Sequence, residues 1–335
     1  MKQTADAVVL AGTGENLKVL LIRRKNPPFQ NERAFPGGFI DEGESEMDAC
    51  LRELDEEAGL QLSADSAVVL SVRRKKGRDP RGHTITHPFL FWLDAPVNVT
   101  AGDDADSADW VNLLDVGKMA FDHGAILCEA LGKCWSFMPG YSDKLAGKTL
   151  PGEIFKNSFK KNNELVFFGG SFNPWHEGHM VCVNLFCEKH REATLVVVPD
   201  SNPWKHSMLV RPTKQCYFAS FIEICRTLGD TSAAVYPGFW GSEDTNPTIN
   251  WFKYVNVERK GLLMGDDGAG SIFGWKDAKL LIRTLDVLYV VPRVLERDER
   301  DEVVLKIKQC NNNLEMEIFP EHDFKHISST KLRNS

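Results

Sequence analysis

The stretch Leu165-Val166-Phe167-Phe168-Gly169-Gly170-Ser171-Phe172-Asn173-Pro174-Trp175-His176-Glu177-Gly178-His179-Met180 divides the chain into two unlike halves. Its first four residues are apolar without alternation and read as a strand buried on both faces. The glycine pair then exposes backbone N–H groups. A helix begins near Gly178, and its free amides and positive dipole end favour an anion. His176 and His179, three apart across the loop-to-helix junction, can both point at that anion. Two such histidines suit a metal as well, but the surrounding loop favours phosphate. Downstream, apolar strands at 194–198, 262–264 and 287–291 alternate with helices at 178–188, 213–227, 248–258 and 273–282. That alternation predicts a doubly wound, Rossmann-like parallel sheet over 164–335.

Upstream, Ala7–Leu10, Val19–Ile22, Val68–Val72 and Phe89–Leu93 read as strands around one long helix, with a second helix at Asp122–Cys134. Strands with interposed helices predict a mixed sheet covered by helices over 4–137. Between 138 and 163 the apolar periodicity fades and Gly, Pro, Lys and Asn accumulate, as in an interdomain linker or a wrapping segment. Two different folds on separate cores are expected, with no internal repeat. The length of 335 residues suits two domains. Lys+Arg 40 against Asp+Glu 47 leaves a net charge of −7, which argues against a broad nucleic-acid surface. The eight cysteines show no zinc spacing and read as reduced, buried thiols. No apolar run approaches the roughly 20 residues of a membrane span, and no signal-peptide pattern opens the chain, so a cytoplasmic protein is expected.

Residues 35–60 carry the chemistry of the first half. On a helix, Glu53, Glu56 and Glu57 fall at i, i+3 and i+4 on one face, while Met47, Leu51 and Leu54 form the face that buries. Three clustered carboxylates need solvent or cations, and hard oxygen ligands select Mg²⁺ or Mn²⁺. Gly59 suits a left-handed helix end, and Gly37-Gly38 permits close backbone approach.

Gly38, Glu44 and the run Arg52-Glu53-Leu54-Asp55-Glu56-Glu57-Ala58-Gly59-Leu60 match each fixed position of the Nudix box, G-x5-E-x7-R-E-U-x-E-E-x-G-U. The first half therefore resembles the Nudix hydrolases. The resemblance implies an α/β/α sandwich and a Mg²⁺-dependent attack of water on a nucleoside diphosphate linked to another moiety. It implies that Glu53, Glu56 and Glu57 hold the metals and that Arg52 orients a carboxylate through its guanidinium fork. The segments Asn26–Phe29, Gly77–Gly82, Ala101–Ala105 and Ala120–His123 look like the ADP-ribose pyrophosphatase branch, which yields AMP and ribose 5-phosphate. Arg78 and Arg81 can then reach phosphates from a loop. The general base is either Glu57 or an acidic residue of the Asp103–Asp106 loop.

The second half resembles the nucleotidylyltransferase superfamily through His176-Glu177-Gly178-His179, and its Gly170-Ser171-Phe172-Asn173-Pro174 form is nearest to the bacterial nicotinate/nicotinamide mononucleotide adenylyltransferases. Asp200–His206 with Arg211, Asn246–Asn250, Gly265-Asp266-Asp267 with Trp275-Lys276, and Ile327–Arg333 agree in order. The implied reaction moves adenylate from ATP to nicotinamide or nicotinate mononucleotide, giving NAD or its deamido form and pyrophosphate. No covalent nucleophile is needed. The resemblance assigns charge stabilisation on the triphosphate to His176, His179, Lys205 and Arg333, with Mg²⁺ assisting. It assigns substrate contacts to Gly170, Ser171, Phe172, Asn173, Gly265, Asp267, Ser329 and Thr330, and a flat face for a pyridine ring to Trp275. The expected partners are small molecules (ATP, the mononucleotide and ADP-ribose), with no nucleic acid and no membrane. A bifunctional enzyme of NAD metabolism is the reading. Its rivals are a nucleotidylyltransferase with another acceptor beside a Nudix domain of other specificity, and a metabolite sensor that does not hydrolyse.

Overall fold

Apolar residues that run or alternate through Lys2–Ala11 and Lys18–Arg24 form β1 and β2, the centre of the first sheet. A computed structural model describes residues 2–102, 105–156, 164–172, 174–200, 214–243 and 245–323. Next come the short strands β3 (Arg33–Ala34) and β4 (Gly37–Phe39), the helix α1 (Glu46–Ala58), and then β5 (Val68–Val69), β6 (Thr84–Leu93), β7 (Ala105–Asn112) and helix α2 (His123–Gly132). Strand order is β3-β2-β1-β6-β5, with β4 on β1 and β7 on β2. β1 and β6 run parallel from Lys2↔Thr84 to Ala11↔Leu93, and the other pairs are antiparallel. The sheet is mixed, as read from the sequence. β5 stops short of Val72 because the Ser71 amide turns to the Glu129 carboxylate, 2.8 Å away.

α1 starts on Ser45, whose Oγ accepts from the Asp48 amide at 3.1 Å, and ends on Gly59 at φ +62°. Its buried face is Ala49, Cys50, Leu54 and Ala58, while Met47 and Leu51 are only half-buried. The apolar stripe thus lies rotated from the one expected, because the small Ala49, Cys50 and Ala58 let the helix settle closely on β1. α2 has no polar side: nine of its ten residues are buried.

Residues 138–156 form a packed strap rather than a free tether. Met138, Leu145, Leu150 and Phe155 are buried, the last on the one-turn helix α3 (Gly152–Phe155). Gly14 donates to the Thr149 carbonyl at 3.0 Å, and the Lys144 ammonium donates to the carbonyls of Asp65 and Ala67 at 2.7 Å. The Lys156 ammonium caps the carbonyls of Gly229 and Thr231 at the far end.

In the second half β8 (Leu165–Gly170), α4 (Glu177–Lys189), β9 (Thr194–Pro199), α5 (Tyr217–Thr227), β10 (Ala234–Val235), α6 (Thr248–Phe252), β11 (Lys260–Gly265), α7 (Asp266–Ser271), α8 (Ala278–Arg283), β12 (Val287–Val291), α9 (Arg297–Cys310) and β13 (Glu315–Ile318) alternate. The strands are all parallel, in the order β10-β9-β8-β11-β12-β13. Strand order therefore reverses between β8 and β11, and a doubly wound sheet opens its ligand crevice at that point, beyond the carboxyl ends of the two strands. α6 ends well before residue 258, where Val255, Asn256 and Val257 favour exit from a helix. The expected helix at 273–282 is broken, because Gly274 closes a 3-10 turn and Asp277, at φ +49°, starts α8 afresh.

The expectation of separate cores is corrected. One apolar cluster runs from Val8 and Leu10 of β1 through Ile126, Leu127 and Leu131 of α2 to Phe218 of α5 and on to Phe319. A smaller cluster, with Ala5, Val9, Leu20 and Leu54, lies under α1. Small residues let α2 approach the second half closely. A Cβ on Gly132 would stand 2.6 Å from Gly238 Cα, and one on Gly241 would stand 2.4 Å from Ala125 Cβ. Gly132→Ala should therefore lower stability by about 1–3 kcal/mol, the scale of overpacking against backbone. That loss outweighs the ~1 kcal/mol of helix propensity gained, and the urea midpoint measures the difference.

Candidate active sites

The first site grows from α1 and β4. Gly38 sits over α1 so closely that a Cβ would fall 2.1 Å from a Glu53 carboxylate oxygen, so a larger residue there would displace that side chain. Arg52 closes its fork on Glu44, with Nε and Nη2 at 2.8 and 3.1 Å, and its Nη1 reaches Glu53 at 2.9 Å and Glu56 at 3.1 Å. Glu57 accepts from the Gly37 amide at 2.9 Å. Burial pushes the Glu57 carboxyl up to about 8 and raises Glu53 as well.

Gly37, Gly38 and Arg52 border a cavity of about 320 Å³, lined also by Asp6, Arg24, Arg81 and His123. Glu53 and Glu57 line it. Glu56 does not, and its side chain is 58% exposed. Among the described residues no three His, Cys, Asp or Glu side chains converge as a cage for an ion. Two carboxylates without a cage still fit Mg²⁺ or Mn²⁺, since Mg²⁺ usually binds through one or two carboxylates plus substrate phosphate oxygens.

The loop arginines differ in environment. Arg78 is buried and gives Nη2 to Asp122 at 2.6 Å, with Nη1 donating to the Thr86 hydroxyl. Arg81 pairs with Asp79 at 2.8 Å, and its guanidinium lies 5.2 Å from the Phe39 ring centre and 5.6 Å from that of Phe121. Asp6 and His123 were not singled out as site residues. The Asp6 carboxyl is pushed up to about 7 by burial. The His123 ring stacks on Phe35 and accepts from its amide at 3.0 Å, and burial pushes it down to about 3. The signal for Asp6 was a lone acid inside the apolar Ala5–Ala11 run of β1.

The second site lies at the β8/β11 reversal. Gly170 ends β8, and a Cβ there would meet the Phe172 ring at 2.9 Å. Phe172, at φ +41°, turns its ring inward against Phe168, Trp175 and His179. Ser171 remains half-buried beside it. His176 precedes α4, and its amide donates to His179 Nδ1 at 3.3 Å. The two imidazoles stack with ring centres 3.7 Å apart. Both ring nitrogens of His176 are buried without a hydrogen-bond partner. Burial, with help from the Arg293 guanidinium, pushes this ring down to about 4.

From β11, Gly265 lies close under Asp267 and Arg293, and Asp267 is half-exposed, 3.9 Å from Arg293. The buried Asp266 accepts from the amides of Val294 at 2.9 Å and Leu295 at 3.2 Å, which fixes the loop that carries Arg293. Arg293 was missed because a single Arg after an apolar strand carries no pattern. Trp275 is half-buried against the core. Asn173, Lys205, Ser329, Thr330 and Arg333 lie outside the described residues, as do Asp103 and Asp104.

Comparison with known proteins agrees with this division. A NUDIX domain model matches residues 1–130, and a model described as cytidylyltransferase-like matches residues 167–335. An ADP-ribose pyrophosphatase of Methanocaldococcus jannaschii is 44% identical over 111 residues, covering 33% of this chain and 63% of that protein. The chain thus spans less than two thirds of that relative. A probable nicotinate-nucleotide adenylyltransferase of Thermosipho melanesiensis is 30% identical over 146 residues, covering 43% of this chain and 69% of that protein. A solved bifunctional NMN adenylyltransferase/ADP ribose pyrophosphatase of Francisella tularensis, complexed with AMP and a manganese ion, is 31% identical, with a TM-score of 0.35 over 40% of this chain and 42% of that one. A Nudix domain forms the first half of this chain, and through its second half the chain belongs to the cytidylyltransferase-like family.

Proposed function

We propose that the chain is a bifunctional enzyme of NAD metabolism. Its second domain transfers adenylate from ATP to nicotinamide or nicotinate mononucleotide, and its first hydrolyses ADP-ribose to AMP and ribose 5-phosphate. The observation that carries this reading is a pair of built sites in one chain. In the first, Glu53 and Glu57 line one cavity together with Arg24, Arg78 and Arg81. In the second, a buried imidazole at the start of α4 has both ring nitrogens without a hydrogen-bond partner.

In the first domain Glu53 and Glu57 would hold Mg²⁺ or Mn²⁺. The bound ion supplies neutralisation of the pyrophosphate and activation of water. Arg52 keeps Glu44 and Glu53 oriented, and Arg81 offers its guanidinium to phosphate oxygens. Either Glu57 or an acidic residue of the 103–106 loop takes the proton of the attacking water. In the second domain the α-phosphate of ATP seats between the β8 loop and the start of α4. His176 and His179 donate there as charge develops on the leaving pyrophosphate. Lys205 and Arg333 would stabilise charge on the triphosphate, and Trp275 would offer its ring to the pyridine.

Glu57→Gln should abolish AMP release from ADP-ribose while dinucleotide synthesis stays near wild type. EDTA should stop the same hydrolysis, and Mg²⁺ or Mn²⁺ should restore it. Retained hydrolysis in the Gln variant would remove Glu57 from the metal site.

His179→Ala should lower kcat for adenylyl transfer by about 10²–10³, the scale for one transition-state donor. Pyrophosphate release from ATP with either mononucleotide measures this loss, alongside AMP release from ADP-ribose on the same preparation. Wild-type transfer would make His179 structural. Equal loss of both activities would mean unfolding or coupling of the two domains.

A further inference from the structure

We infer that Glu243, in the loop between β10 and α6 of the second domain, is a positioning residue for the cavity of the first. Its carboxylate holds the stem of the loop that carries Arg78, Asp79 and Arg81. The inference rests on the reading of that cavity as the ADP-ribose site.

Arg73 meets Thr86 in an isolated bridge, and beyond it the chain leaves the sheet until β6 begins. The amides of Arg74 and Lys75 therefore find no strand partner. Both turn to Glu243, whose oxygens accept from Arg74 at 2.7 Å and from Lys75 at 3.0 and 3.2 Å. A carboxylate that accepts from two successive amides makes strong, charge-assisted hydrogen bonds. The neighbouring Arg73 is 2% exposed and reaches across the same boundary, with Nη1 3.4 Å from the Gly241 carbonyl.

Only two residues separate Lys75 from Arg78, so the pinned stem leaves Arg78 little freedom to leave Asp122 and Thr86. The far side of the loop returns through His83, whose Nε2 lies 3.0 Å from the Arg74 carbonyl. Arg81 and Asp79, at the tip, then face the cavity from a loop whose base belongs partly to the other domain. With the stem released, the loop spends part of its time in arrangements that do not bind. Apparent affinity falls by the competent fraction, while the turnover of bound substrate is untouched.

The test uses the full chain with Glu243→Ala and Glu243→Gln. KM for ADP-ribose should rise about tenfold in the Ala variant, the scale of one charge-assisted hydrogen bond. kcat should stay within about twofold, and adenylyl transfer should not change. Gln keeps one carbonyl acceptor, so its KM should fall between the two. Hydrogen exchange gives a readout that needs no activity: the Arg74 and Lys75 amides should be protected in the wild type and exchange at least about tenfold faster in the Ala variant. Unchanged KM with unchanged exchange overturns the inference. So does a parallel loss of kcat and adenylyl transfer, which marks Glu243 as generally structural. If the wild type does not cleave ADP-ribose, the reading of the cavity fails on its own. Amides protected in the wild type and opened in the Ala variant would still support the strut, and unprotected wild-type amides would overturn it.

Discussion

Helix α2 has no side that faces water, and both halves of the molecule are built around that fact. An isolated ten-residue helix is marginal in water, so α2 draws its stability from burial on the first sheet and on α5 at once. Its apolar residues belong to the cluster that runs from β1 to the far end of the second sheet. Its polar residues sit where they are paired. Asp122, just ahead of it, binds Arg78, and Glu129 holds Arg73 at 2.8 Å along with Ser71. The floor of the first cavity and the seam between the domains are two ends of one helix.

The two candidate sites solve opposite electrostatic problems with the same means. In the first, burial raises the Glu57 carboxyl to about 8 and Glu53 in the same direction, so a cation beside them would favour their charged form. In the second, burial and Arg293 lower an imidazole that needs an anion before it gains a proton. Each site is poised to change its protonation when a partner of the right sign arrives. The desolvation that penalises an unpaired charge in either cavity strengthens its attraction to a partner of opposite sign.

Much of this was legible from residue spacing. The fixed glycines, glutamates and arginine of 38–60 mark a helix with one acidic face because periodicity is local. The Gly169-Gly170 pair, followed by His176 and His179, marks a strand, a loop and a helix start for the same reason. The parallel sheet follows from apolar strands that alternate with helices, whereas the place of its reversal, between β8 and β11, does not. What was not legible depends on distant partners. Arg78 looked like a phosphate-reaching residue, and nothing near it in sequence announced Asp122 as its buried partner. Arg293 acquires its place only when Asp266 captures the following amides across 28 residues. The strap over 138–156 has linker composition because its backbone spends its polar groups on turns and lysine caps, while a few spaced apolar residues do the packing. The shared core escaped notice because a wholly apolar helix reads alike whether one domain or two cover it.

The glycines along α2 bear on how such a molecule can be taken apart or rebuilt. Gly132 meets the backbone of Gly238, and Gly241 meets the Ala125 methyl, with each partner drawn from a different fold. A domain lifted from this chain would carry half of each contact and expose the seam. A domain grafted in from another protein would have to present glycine at the same places. The linker suggested by composition over 138–163 is therefore a poor place to cut, because the strap and α2 belong to both halves. The two halves share one seam, and their folds are not interchangeable cassettes.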